Sequence, residues 1–327
     1  MQKKNSKKNK RNPFKSFRRS YREEIHDDFE APGLIAHAGE TFSTIFKNWK
    51  FFLKLLLLTV VTLILFVGIL NEDSMNSIKE TIETSSNEFS EGNLNSFAKA
   101  GLLLISTVST GGLNGSLSGE QGIVLIFVFL LIWLMSIFYL RYVLSKKKIT
   151  FRDCLYNSFS PLVSTFLVFL AILIELIPVF LCLIFYNAAV KTDFLSTPFY
   201  ALLFIAFAAL MVLISGYLVS GSVIALVAVT SPGLYPSEAL GSTWELVFGR
   251  RLKLILRLIF LSILIGFMFV VVMLPIILLD SFLKSNFEWL AGVPVVSFFL
   301  LVLTCFSFIY LSVYIYLYYR KMLEYES

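Results

Sequence analysis

Charge is what this chain has least of. Asp, Glu, Lys and Arg make up 15% of its 327 residues, against 57% apolar. A soluble domain of that length needs far more charge to cover its surface. Histidine is almost absent, with His26 and His37 the two present. The three cysteines, Cys154, Cys182 and Cys305, are widely scattered and fall in or beside apolar segments. No CxxC pair or Cys/His cluster occurs, which argues against a disulfide framework or a structural zinc site. There is no HExxH, no nucleophile motif, no carboxylate pair and no cofactor fingerprint. The sequence therefore supplies no catalytic, cofactor-binding or metal-binding residues, and a non-enzymatic protein is expected.

Long apolar runs are plentiful. Several exceed 20 residues, the length needed to cross a hydrocarbon core of about 30 Å at about 1.5 Å per residue. They are continuously apolar rather than alternating, which argues against a β-barrel. The expected fold class is all-α integral membrane, with spans at about 51–70, 122–144, 161–190, 199–229, 252–279 and 294–319. The first run starts near Phe51, too late and too long for a cleaved signal peptide. Pro178 lies inside the third span, and Pro275 is expected to kink the outer end of the fifth.

Residues 1–31 form a basic tail, expected to be disordered and cytoplasmic, that carries ten of the 28 Lys and Arg within its first 22 positions. Each basic residue near a membrane surface contributes about 1 kcal/mol of attraction to anionic headgroups. Anionic membrane lipid is thus the expected partner of the tail, with a membrane-protein partner as a further possibility. Nucleic acid is disfavoured, because stacking aromatics are sparse there. Residues 32–323 form the polytopic domain. Residues 71–121 are an outer loop whose short apolar part, about 101–108, is expected to be an amphipathic or half-inserted segment.

Three amphipathic stripes precede spans. Ala38, Phe42, Ile45, Phe46 and Trp49 share one helical face, as do Leu155, Phe159, Leu162 and Val163, and then Leu240, Trp244, Val247 and Phe248. They superpose at offsets of 117 and 85 residues, with Thr41, Ser158 and Thr243 preceding the aromatic each time. The expected plan is three repeats, each an interfacial helix followed by two spans. Phe42, Trp49, Phe159, Trp244, Arg250 and Arg251 are the expected interfacial anchors. Thr150 and Asp153 have capping-box spacing. Gly216/Ser220 and Gly221/Ala225 are small-xxx-small pairs that let a neighbouring helix approach closely. Sorting basic residues by side gives 23 on one face and four on the other, with Lys54 in the first span. The positive-inside rule then places the chain in the cell membrane as a multi-pass protein with both termini cytoplasmic.

The stretch SPGLYPSEALGSTWELVFGRR at 231–251 resembles a signature of uncharacterised bacterial six-span membrane proteins. These are related to the membrane domain of some glycerophosphodiester phosphodiesterases. Pro232, Glu238, Ala239, Leu240, Ser242, Trp244, Leu246 and Gly249 match it in order. The resemblance implies a six-span membrane domain over about 34–320. With the chain stopping at Ser327, it does not imply the catalytic domain.

Glu175 is the one carboxylate deep in a span, a candidate for proton coupling or cation contact. Asp280, at an outer helix end, is expected to be solvated. Two functional expectations follow. The first is a non-enzymatic bundle organising lipid or partner proteins at the inner face. The alternative is a transporter or permease component that uses Glu175.

Overall fold

A computed structural model describes residues 33–68, 119–192, 198–231, 233–286 and 294–326. The tail at 1–31, residues 71–118 of the outer loop with its expected amphipathic or half-inserted segment, and Pro232 of the signature lie outside the described residues. Those described form ten helices and no strand. They are α1 (Leu34–Lys47), α2 (Trp49–Phe66), α3 (Gly119–Leu144), α4 (Phe151–Ser158), α5 (Leu162–Glu175), α6 (Ile177–Lys191), α7 (Pro198–Ala228), α8 (Pro236–Val247), α9 (Arg251–Asn286) and α10 (Val295–Glu326).

The chain is an all-α multi-pass membrane protein. Five helices are long and apolar enough to cross a membrane: α2, α3, most of α7, most of α9 and α10. The pair α4 and α5 makes a sixth apolar stretch, bent by 60°. In water every backbone group can find a partner; in hydrocarbon each must be bonded within the segment, which is why the apolar runs are helical throughout.

Two expected boundaries are corrected. The third span, expected to be continuous over 161–190, is interrupted at Leu176. Pro178 has no N–H to give the Ile174 carbonyl and its ring crowds that turn. The chain therefore ends α5 with the Leu176 N–H on the Ile172 carbonyl at 3.0 Å and restarts as α6. The fifth span continues as helix through Pro275 to Asn286, so 280–286 is not loop. Asp280, expected to be solvated, is buried and pairs with Lys284 one turn on at 3.4 Å.

The helices follow a threefold plan. The short helices sit on α3, α7 and α10, of which α3 and α10 are the most enclosed spans and α7 is mostly exposed along its apolar length. Of these, α10 packs on both others, and α3 reaches α7 through the Trp133 indole N–H on the Leu226 carbonyl at 3.2 Å. Each remaining span fills one seam: α2 between α10 and α3, α5 between α3 and α7, α9 between α7 and α10. The short helices α1, α4 and α8 lie at one end of the bundle, against α10, α3 and α7 respectively. Arg141, Lys146–Lys148, Arg250, Lys253, Arg320 and Lys321 gather there, so it is the basic end. The small residues do what their spacing suggests at one of their two positions. Ala225 and Ala228 of α7 pack with Ala239 of α8, and Gly221 lies under the Trp244 ring. Gly216 has no neighbour within 4 Å of a built Cβ.

Candidate functional site at the basic end

The three short helices share one mode of docking. Thr41, Ser158 and Thr243 are 0%, 1% and 2% exposed, and His37, Cys154 and Ala239, one turn earlier, are equally buried. Each hydroxyl donates back to its own helix: to the His37 carbonyl at 2.8 Å, the Leu155 carbonyl at 2.8 Å and the Ala239 carbonyl at 2.7 Å. A small side chain whose polar atom is already satisfied lets the helix axis come close to the span beneath it. Ala38, Ile45 and Val247 of the expected stripe are buried as expected, but the buried line runs one residue to the side of Phe42, Phe159 and Trp244, which stand at its rim. Phe42 is half-buried, 4.6 Å from the Tyr310 ring. Trp49 and Phe159 are exposed, and Phe46 and Val163 point outward with them.

Local signals set these helices as expected. Thr150 caps α4, accepting from the Asp153 N–H at 3.2 Å while its hydroxyl donates to the Asp153 carboxylate. The Tyr235 N–H donates to Glu238 at 3.4 Å at the start of α8. Gly249 takes φ +79°, a left-handed conformation that glycine adopts without strain, and turns the chain from α8 into α9. The signature residues Glu238 and Gly249 therefore have structural tasks.

His37 is fully buried in the α1–α10 contact. Its Nε2 lies 3.1 Å from the Tyr314 carbonyl, so Nε2 carries the proton and donates. Its ring meets that of Tyr314 edge-on at 4.4 Å. Glu40 pairs with Lys321 just above, tying α1 to the end of α10. Burial pushes the His37 pKa down to about 4, although the bond to Tyr314 opposes the shift.

The two seams flanking α10 are closed by aromatic packing. At the α1–α2 junction Phe51 stacks on Tyr139 of α3 at 3.6 Å, and the Tyr139 hydroxyl donates to Asn48 at 3.2 Å. At the α8–α9 junction the Arg251 guanidinium lies between the rings of Trp244, at 3.7 Å, and Tyr217, at 4.0 Å. Its Nη1 also donates to the Tyr217 carbonyl at 3.2 Å. Arg257 lies over Tyr318 of α10 at 4.6 Å. Arg251 is 5% exposed. It departs from the expected surface anchor because two aromatic faces hold its cation better than the headgroup layer can. Arg250, beside it, is half-buried.

The third seam is open. A cavity of about 640 Å³ lies between the end of α3, the α4–α5 corner and the residues after α7. Arg141, Ser145 and Lys147 line it on the α3 side, and Asn157, Ser160 and Ser164 at the corner. Thr230 and Ser231 complete the wall. No carboxylate lines it. Arg141 is fixed by bonds to the Thr230 carbonyl at 2.9 Å, the Thr230 hydroxyl at 2.7 Å and Ser231 at 3.4 Å. The cavity exists because α4 stops early. Counted from the shared hydroxyl, α4 ends four residues before α8 does and six before α1 does. Pro161 accounts for this, since it has no N–H to continue the helix and the chain turns sharply there.

Glu175 sits at the interruption of the third span. Its Oε1 accepts from the Ser222 hydroxyl of α7 at 2.6 Å, while Oε2 is buried with no hydrogen-bond partner among the described residues. The structure thus gives Glu175 a partner from another span. It is separate from the cavity, whose Arg141 and Lys147 entered the sequence reading only within the count of basic residues. The one signal pointing to it was Pro161, one residue after Ser160 and three before Ser164, in the repeat where the other copies continue as helix.

No protein family, no curated protein and no solved structure matches this chain.

Proposed function

We propose that this is a multi-pass protein of the cytoplasmic membrane, with both termini in the cytoplasm, that organises anionic lipid and membrane-protein partners at the inner face without chemistry of its own. One observation carries the proposal: the three short helices ring the basic end and turn large apolar residues outward beside Lys and Arg. Ile35 of α1 is 80% exposed, Tyr156 of α4 81% and Trp244 of α8 37%, and Trp49, Val163 and Phe248, just beyond the short helices, are exposed with them. Apolar side chains at the height of a basic rim suit amphipathic helices seated between headgroups and acyl chains. The basic tail adds to the same attraction.

The test is lipid analysis of the chain extracted in native nanodiscs, compared with nanodiscs from the bulk membrane. Enrichment of anionic lipid around the protein is expected. An annulus of bulk composition, with no membrane protein cross-linked to it, would remove the proposal. Sidedness is checked by placing a cysteine at Lys148: a membrane-impermeant maleimide should label it only after the cell membrane is opened.

A transporter component is the second reading, favoured by the Glu175–Ser222 pair beside a broken span. It predicts substrate- or proton-dependent flux in liposomes that falls in Glu175→Gln. Flux indifferent to that substitution would take Glu175 out of the case.

A further inference from the structure

The geometry points to the cavity between α3, the α4–α5 corner and the end of α7 as a binding site for one phosphate-bearing anion, with Arg141 in its wall and Lys147 at its mouth. The inference deepens the lipid-organising reading, on which it rests for the source of the anion. Charge is the first ground. Two cations and no carboxylate line the cavity, and the groups holding Arg141 are a carbonyl and the hydroxyls of Thr230, Ser231 and Tyr316. Those bonds fix its guanidinium without neutralising it, so the positive charge stands in a recess lined otherwise by neutral groups. Such a recess favours an anion over any neutral guest.

Donor count selects phosphate among anions. A carboxylate offers two oxygens, whereas a phosphate ester offers more acceptor sites around a tetrahedral centre. Asn157, Ser160 and Ser164 stand on the wall facing α3, so donors are available on more than one side of a guest. The volume of about 640 Å³ lies within the range of small-ligand sites.

Backbone conformation supplies the third ground. Lys146 has φ 58°, the one non-glycine residue with positive φ among the described residues. The chain leaves α3 through it, with the Lys147 N–H on the Tyr142 carbonyl at 3.0 Å and the Lys146 N–H on the Val143 carbonyl at 2.9 Å. Glycine normally fills that place in such a helix ending. The lysine accepts strain there, and the turn delivers Lys147 to the cavity lining, whereas Lys148 is not part of that lining. Among the described residues Lys147 makes no ion pair. The two equivalent seams are filled by Phe51 on Tyr139 and by Arg251 between two rings, so the cavity is a departure from the common plan.

Phosphate could arrive as a lipid headgroup or as a soluble ester, and the test separates them. The full chain in neutral detergent is titrated calorimetrically with glycerol 3-phosphate and, separately, with short-chain phosphatidylglycerol. Wild type is compared with Lys147→Glu, Lys148→Glu and Ser164→Leu. Wild type should bind at least one probe. Lys147→Glu should weaken binding by at least about tenfold, the loss of one charge-assisted bond, and Lys148→Glu by less than about twofold, as for an exposed charge. Ser164→Leu should weaken it with charge unchanged. Binding of the lipid alone identifies a headgroup site, and equal binding of both probes identifies a phosphate-ester site. Absence of binding by wild type, or equal losses in the two lysine variants, overturns the site. A chain that enriches anionic lipid yet binds neither probe overturns the site alone. One that binds a probe without enrichment overturns the lipid-organising reading alone.

Discussion

Substituting His37 by Gln should flatten the acid side of the stability profile. In the folded chain the His37 pKa is lowered from 6.5 to about 4, so the folded state holds the neutral ring and the unfolded state takes up the proton first. Stability is therefore unaffected above pH 6.5, falls as pH drops through the interval, and levels off below about 4. The span of about 2.5 units at about 1.4 kcal/mol each gives a total loss of about 3 kcal/mol. The surroundings support the sign. Desolvation is the largest cause, and the Lys321 and Arg257 cations add to it, while the Tyr314 carbonyl and the Glu40 carboxylate oppose it. Other carboxylates titrate in the same interval, so the informative quantity is the difference between wild type and variant. The Gln amide can still donate to the Tyr314 carbonyl, which keeps the baseline cost under about 1.5 kcal/mol. Reversible unfolding in mixed micelles from pH 7.5 to 4 would read the difference. Parallel profiles for the two proteins would refute the placement of a neutral, buried His37 between α1 and α10.

Other substitutions test the same end of the bundle. Lys146→Gly should raise stability by about 1 kcal/mol, because it relieves a positive φ at a helix ending; a loss in the same unfolding assay would mean that the lysine side chain outweighs the strain. Arg251→Lys should cost about 2 kcal/mol, since an ammonium lacks the broad planar cation that meets both perpendicular rings of Trp244 and Tyr217, and tryptophan emission should report the disturbed ring. Thr243→Leu should cost about 2 kcal/mol by overpacking the α7–α8 contact, whereas Thr243→Val should stay within about 1 kcal/mol, since the hydroxyl bonds only its own helix. Comparable melting temperatures for these two variants would show that α8 does not dock closely at Thr243.

The spans were legible because a 20-residue apolar run has no other stable form in hydrocarbon. The short helices were legible too, by their periodicity and, for α4, by the Thr150–Asp153 spacing. What periodicity could not tell was which side of a short helix meets protein and which meets lipid, since both surroundings are apolar. The stripe through Phe42, Phe159 and Trp244 was therefore one residue away from the buried line through Thr41, Ser158 and Thr243. Arg251 misled for a related reason. A basic residue at a span end usually faces headgroups, and its two aromatic partners lie on α7 and α8, with Tyr217 34 positions away. The cavity was out of reach because its walls are joined by a contact between Arg141 and Thr230, 89 positions apart.

The threefold plan explains why one seam can specialise. With α3, α7 and α10 each bearing a short helix and each flanked by two of the other spans, the bundle has three equivalent places where a short helix hands the chain to a span. Rigidity at two of them is enough to hold these three helices in register: Phe51 on Tyr139 fixes α2 to α3, and Arg251 with Arg257 fixes α9 to α7 and α10. The third is then free to lose its filling. A single proline does this by ending α4 early, and Arg141 replaces the missing packing with hydrogen bonds to Thr230 and Ser231. Those bonds restore the link between α3 and α7 while leaving a charge facing open space. At the other two seams rings fill the space, Phe51 on Tyr139 at one and the rings against Arg251 and Arg257 at the other; at this one Arg141 is held by hydrogen bonds and open space remains beside it. The asymmetry within an otherwise repeated architecture is thus the feature that most directly separates a site from a scaffold in this chain.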